Sequence, residues 1–90
     1  MTFVMTKAVS AEAAHDLTFA KFVAESLQRF NVHDWGITSN NDSAMNDEDP
    51  RSAMGSYIMA ERPKVKIWIK SDDYGADQPL VITVLFPNEY

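Results

Sequence analysis

Lys64-Val65-Lys66-Ile67-Trp68-Ile69-Lys70 alternates, residue by residue, between lysine or tryptophan and a β-branched aliphatic. A period of two marks a strand with one buried face, because successive side chains of an extended chain point to opposite sides of the sheet. Val65, Ile67 and Ile69 are thereby assigned to a core, and Lys64, Lys66, Trp68 and Lys70 to the opposite face. An indole among lysines on the outside of a sheet suits contact with a partner more than packing.

The neighbouring segments read as strands too. Residues 56–60 form one, Glu61-Arg62-Pro63 a turn, and residues 64–71 the strand just described. Asp72-Asp73-Tyr74-Gly75-Ala76-Asp77 makes a second turn, and residues 80–86 a last strand ended by Pro87. On that strand Leu80, Ile82, Val84 and Phe86 share one side, Val81, Thr83 and Leu85 the other. Both sides are apolar, which predicts a central strand covered twice. Together these segments predict a three-stranded C-terminal meander.

Toward the N-terminus, residues 2–8 carry a short apolar alternation and predict a further strand. Ser10 is placed to cap a helix over residues 11–30, in which Leu17, Phe19, Phe22, Val23, Leu27 and Phe30 recur at three- and four-residue steps. Lys21–Glu25 and Glu25–Arg29 are favourable i,i+4 pairs on its other side. Asp16 offers a second cap if the helix breaks near His15, and Asn31 offers a left-handed stop. Residues 32–55 are rich in Asn, Asp, Ser, Gly and Pro, so turns are expected. A short helix over residues 42–48, capped by Ser39 or Asn41 and ended by Pro50, fits that stretch. The expected architecture is α+β: an antiparallel sheet of about four strands with one long amphipathic helix on one face, a single domain over residues 1–90.

The chain has 90 residues, enough for one core, and a hydrophobic fraction of 46% that supports folding rather than disorder. It has no cysteine, which excludes disulfides, thiolate metal ligands and a cysteine nucleophile. The first residues lack the basic and long apolar regions of a signal peptide, and no run approaches a membrane span, so a cytoplasmic location is expected. The formal net charge is −5, which argues against generic binding to nucleic acid or an anionic membrane. Charge is also segregated. Asp34, Asp42, Asp47, Glu48 and Asp49 follow one another without an intervening base, as do Asp72, Asp73, Asp77 and Glu89.

Catalytic constellations are hard to assemble from these residues. His15-Asp16 and His33-Asp34 are two His-Asp dipeptides, but a metal-dependent phosphohydrolase needs more ligands than two histidines supply. Residues 40–49 are rich in oxygen ligands, yet no window has the glycine and terminal glutamate of an EF-hand loop. No Gly-x-Ser-x-Gly or glycine-rich phosphate loop exists, the chain having three glycines. No enzyme activity, metal or cofactor is therefore expected. Trp35, followed by Gly36, is expected to fold back and seal the core.

Several segments taken together resemble a group of small plasmid-related accessory proteins of Gram-positive mobile elements. They are Phe22-Val23-Ala24-Glu25-Ser26-Leu27-Gln28-Arg29-Phe30, Asp34-Trp35-Gly36, Met45-Asn46-Asp47, Lys66-Ile67-Trp68-Ile69 and Thr83-Val84-Leu85-Phe86-Pro87-Asn88-Glu89-Tyr90, pieces spread over about two thirds of the chain. The turn at residues 71–78 is longer than in that pattern. The resemblance implies accessory cargo of mobile DNA and carries no catalytic residues with it.

Charge segregation and the resemblance together lead to an expected function: stoichiometric inhibition of a host defence nucleoprotein, of the anti-CRISPR or anti-restriction type, with carboxylates standing where the target expects phosphates. Asp42, Asp47, Glu48, Asp49, Asp72, Asp73 and Asp77 are the candidate partner-binding residues. The partner is a protein, with no direct contact to nucleic acid or membrane. A monomer or homodimer is expected, and the rival expectation is a plasmid-maintenance or regulatory adaptor, or a homodimer, using the Lys66–Trp68–Lys70 face.

Overall fold

A computed structural model describes residues 1–90. Four strands, β1 (Thr2–Met5), β2 (Met54–Ile58), β3 (Lys66–Asp72) and β4 (Val81–Leu85), form one sheet in the order β1-β4-β3-β2. Three helices, α1 (Lys7–His15), α2 (Leu17–Asn31) and α3 (Asn40–Glu48), precede β2, and 3-10 turns occupy Pro50–Ser52 and Pro87–Glu89. The α+β class and the β2-β3-β4 meander agree with the reading of the sequence.

Two expectations are corrected. The sheet is mixed, because β1 runs parallel to β4, with Phe3 opposite Ile82 and Met5 opposite Val84. Alternation within a strand says which side chains are buried but not which strand lies alongside, and β1 reaches β4 only after the helices and β2–β3 have intervened. The long helix is also two helices. Asp16, at φ −140° and ψ 102°, has left the helical region, and its carboxylate accepts the free amides of Thr18 and Phe19 at the start of α2. The same carboxylate pairs with Arg62, from the β2–β3 turn, so the break is held by a residue 46 positions away. Ser10 accordingly lies inside α1, whose N-cap is Thr6. The left-handed residue after α2 is His33 (φ 63°), not Asn31.

The capping of α2 carries a prediction. Arg62 and the two amides hold the Asp16 carboxyl below its ordinary value of 3.8, since both favour the charged form. Asp16→Ala is expected to lower the thermal midpoint. Asp16→Asn, which keeps a cap but loses the ion pair, should fall between the two. The gap between wild type and Asp16→Asn should close as pH drops below 3.8, where the carboxylate's contribution is lost. Thermal melts at neutral and acid pH check this; equal midpoints for Asn and wild type at neutral pH would remove the ion pair from the account.

The core forms where α2 lies on one face of the sheet. Phe19, Phe22, Val23, Ser26 and Phe30, one stripe of α2, are buried, and Ile67, Ile69, Ile82 and Val84 meet them from β3 and β4. Each large apolar side chain so enclosed contributes about 1.5–3 kcal/mol relative to exposure. The Ser26 hydroxyl bonds the Phe22 carbonyl at 2.7 Å, which satisfies the one polar atom on this stripe. Trp35 is buried as expected, edge-on to Phe30 and stacked beneath His33.

Tyr57 on β2 ties this core to the segment following α2. It is fully buried, and its hydroxyl donates to the Asp34 carbonyl at 2.8 Å. Gly55 precedes it by two residues on the same face, and the ring fills the place of the missing side chain: a Cβ at Gly55 would lie 2.4 Å from the tyrosine oxygen. Asp34 chelates Arg29 at 2.7 and 3.2 Å, which fixes the turn that presents this carbonyl.

Candidate functional site

The outer face of the sheet is only partly covered. Lys66, Trp68 and Lys70 do share it, as the alternation requires, together with Met54 and Ser56 of the paired strand β2. Over the β4 side the C-terminal turn closes down: Leu85 is buried, and Tyr90 packs edge-on against Trp68 at 5.6 Å. Lys70 stands 5.8 Å above the Tyr90 ring and pairs with Asp72 at 3.3 Å. Trp68 is therefore half-buried, with Tyr90 against part of its surface.

Over the β2 side stands α3. Ser39 caps it by accepting the Asp42 amide at 3.0 Å, and Asp42 lies in its first turn, where a negative charge complements the helix dipole. Asn46 is the only buried residue of α3. Its side-chain amide donates to the Met54 carbonyl at 2.8 Å and accepts the Met54 amide at 3.2 Å, so it pairs with the edge of β2 as another strand would. The next part of that edge is taken by residues 35–37: the Ser56 amide donates to the Trp35 carbonyl and the Ile37 amide to the Ser56 carbonyl. Asp47, on the opposite flank of α3, accepts the Trp35 indole N–H at 2.8 Å. Two polar clamps thus fix α3, one to the sheet edge and one to the core tryptophan.

Between α3 and the outer face runs a groove of about 910 Å³. Asp42, Met45 and Asp49 line its helical wall, while Met54, Trp68 and Lys66 line the sheet side. Residues 42, 45, 46 and 49 share one helix face by the three- and four-residue spacing, which is why burying Asn46 aims its neighbours across the groove. The two patches that the sequence set against each other, acidic loop and lysine–tryptophan strand, are walls of one groove.

The remaining acids are arranged unequally. Glu48 and Asp77 are exposed. Asp73 is chelated by Arg51 at 2.8 and 3.4 Å, and this guanidinium holds its carboxyl below the usual range. Arg51 belongs to the 3-10 turn immediately after α3, and Asp49 adds to the field around it. Asp49 and Asp73, from acidic stretches separated by two strands in sequence, are thereby brought to the same guanidinium. The buried Ser71 hydroxyl reinforces the junction, accepting the Ala53 amide at 2.8 Å and donating to the Pro50 carbonyl at 2.9 Å. None of the four ion pairs involves an acid of α3, so Asp42 and Glu48, with Asp49 at the helix end, stay unneutralised.

Compared with known proteins, the chain matches no family model, no curated protein and no solved structure.

The His-Asp dipeptides have other uses. Asp16 is spent on α2 and Arg62, Asp34 on Arg29 and the Gly36 amide, and His33 stacks on Trp35. No three His, Asp or Glu side chains come together as metal ligands, and residues 40–48 are helical rather than a chelating loop. No helix is long and apolar enough to cross a membrane. Sequence reasoning passed over Asn46, Arg51 and Ser71, which organise the site. Asn46 had a local signal, one polar residue four before the Pro50 boundary of a polar helix, but its partner Met54 is visible only in three dimensions.

Proposed function

We propose that the protein is a non-enzymatic binding protein that captures a basic protein surface through its α3 end. The observation that carries this reading is the set of acids outside any ion pair, Asp42, Glu48 and Asp49, next to which Arg51 gathers Asp73 of the β3–β4 turn. Carboxylates presented on a rigid helix speed encounter with a cationic surface and oppose anionic partners. A nucleic-acid-binding defence complex, of CRISPR or restriction type, is the partner class that combines such a surface with the mobile-element resemblance. Binding of this kind displaces nucleic acid one for one and needs no cofactor.

The test replaces Asp42, Glu48 and Asp49 by Asn, Gln and Asn and leaves Asp47, which holds Trp35, untouched. Inhibition of DNA binding by a purified effector complex should weaken about tenfold or more, and wild-type inhibition should fade as salt is raised. Undiminished inhibition by the folded triple variant would sink the reading. An adaptor or dimer formed through the whole Lys66–Trp68–Lys70 face has less support, because Tyr90 covers the side of Trp68 away from the groove and Lys70 is engaged by Asp72.

A further inference from the structure

We infer that the groove between α3 and the outer face of β2–β3 seats arginine side chains of an extended basic segment, with a guanidinium on Trp68 and its N–H groups turned to Asp42 or Asp49. This rests on the reading above that the partner is basic, and it adds where and how the cation is recognised.

Four observations bear on the occupant. First, the size: about 910 Å³ is near the upper end of ordinary ligand pockets, room for several side chains rather than for an ion. Second, the charge: the helical wall carries two carboxylates outside any ion pair, which repel phosphate or carboxylate groups and attract cations. Third, the surface between them is not merely acidic. Met45 and Met54 offer flexible thioethers that adapt to an aliphatic stem, and Trp68 offers an aromatic face. Fourth, the edge of β2 is already occupied by Asn46 and by residues 35–37, so an incoming segment does not add as a strand and must be held by its side chains.

These features separate arginine from lysine. A guanidinium is planar and weakly hydrated, stacks on an indole and bonds a carboxylate through two N–H groups at once; an ammonium keeps its water and does neither well. Asp42 and Asp49 are seven residues apart on one helix face, roughly 10 Å along the axis. That distance matches side chains three residues apart in an extended, polyproline-like segment, at roughly 3.1 Å per residue. Lys66 lies two residues from Trp68 on the same strand face, so a guanidinium on the indole is held there by the carboxylates of Asp42 and Asp49 against that lysine's charge.

The probes are two fluorescein-labelled peptides of alanine, with arginine in one and lysine in the other at every third position. Fluorescence anisotropy against the intact protein should show the arginine peptide binding about tenfold tighter than its lysine twin, the expected size of a stacked guanidinium contact. Methyl signals of Met45 and Met54 and the Trp68 indole N–H should shift in NMR spectra of the complex. Trp68→Leu should erase the preference for arginine while leaving the residual, salt-sensitive attraction common to both peptides. Equal affinity of the two peptides, or shifts confined to exposed acids with the Trp68 and methionine signals unmoved, overturns the inference and leaves capture by the acidic end standing. Full effector inhibition by the triple acidic variant instead removes the reading beneath it. The arginine-versus-lysine comparison uses wild-type protein alone, so a variant that fails to fold does not blunt it.

Discussion

Replacing Gly36 with alanine is expected to destabilise the protein by about 3 kcal/mol or more, the sum of a left-handed backbone strain and a steric clash. Gly36 has φ +73°, a region in which a side chain is itself unfavourable. A Cβ there would lie 2.0 Å from the Ser56 carbonyl oxygen and 2.9 Å from the Tyr57 ring. That oxygen cannot retreat, since it accepts the Ile37 amide at 2.7 Å and belongs to the sheet. The substitution therefore pries residues 35–37 from the edge of β2 and loosens the tether that the Trp35 indole gives α3 through Asp47. For a small domain this is a large part of the total stability, so the variant should unfold early in urea. A midpoint within error of wild type would mean that residues 35–37 do not hold the sheet edge.

Tyr57 carries the second large effect. Truncation to alanine should cost roughly 3–5 kcal/mol, as for other buried aromatic residues. Tyr57→Phe is more informative, because it keeps the ring over Gly55 and removes only the bond to the Asp34 carbonyl, at about 1–2 kcal/mol. Burial, and then the nearby Asp34 charge, push the phenol well above its ordinary value of 10.0. The folded state thus keeps the hydroxyl neutral while the unfolded chain ionises. Stability from this group is whole below pH 10 and falls above it, by up to about 1.4 kcal/mol per pH unit. Urea titrations from pH 8 upward should show this alkaline decline in wild type and a shallower one in Tyr57→Phe. Parallel curves for the two proteins would show that ionisation of Tyr57 is not what limits alkaline stability.

Alternation at residues 64–70 placed Ile67 and Ile69 in the core and Trp68 outside because burial on a strand depends only on parity, a local property. The stripe from Phe19 to Phe30 was legible for the same reason at helical period. At Asp16 the sequence supports only a conditional cap, since a capping residue competes with continued helix and its partner Arg62 lies far along the chain. The direction of β1 had no local signal at all: a strand's backbone donors and acceptors pair in parallel or antiparallel fashion, and the alternative is settled by where the rest of the chain leaves room.

The candidate site divides along the same line. In the sequence the seven acids and the lysine–tryptophan face form two rival patches, because charge and alternation are seen one segment at a time. In the folded protein Asp47 holds Trp35, Asp72 pairs with Lys70 and Asp73 with Arg51, while Asp42 and Asp49 face Trp68 across a groove. From the sequence alone come the class of fold, the buried face of the lysine–tryptophan strand and an acidic surplus without bases around α3. Only the tertiary structure decides which carboxylates remain free and what they face. The reason is physical: periodicity and net charge are sums over neighbours in the chain, whereas an ion pair or a groove wall depends on distances between elements that folding alone brings together.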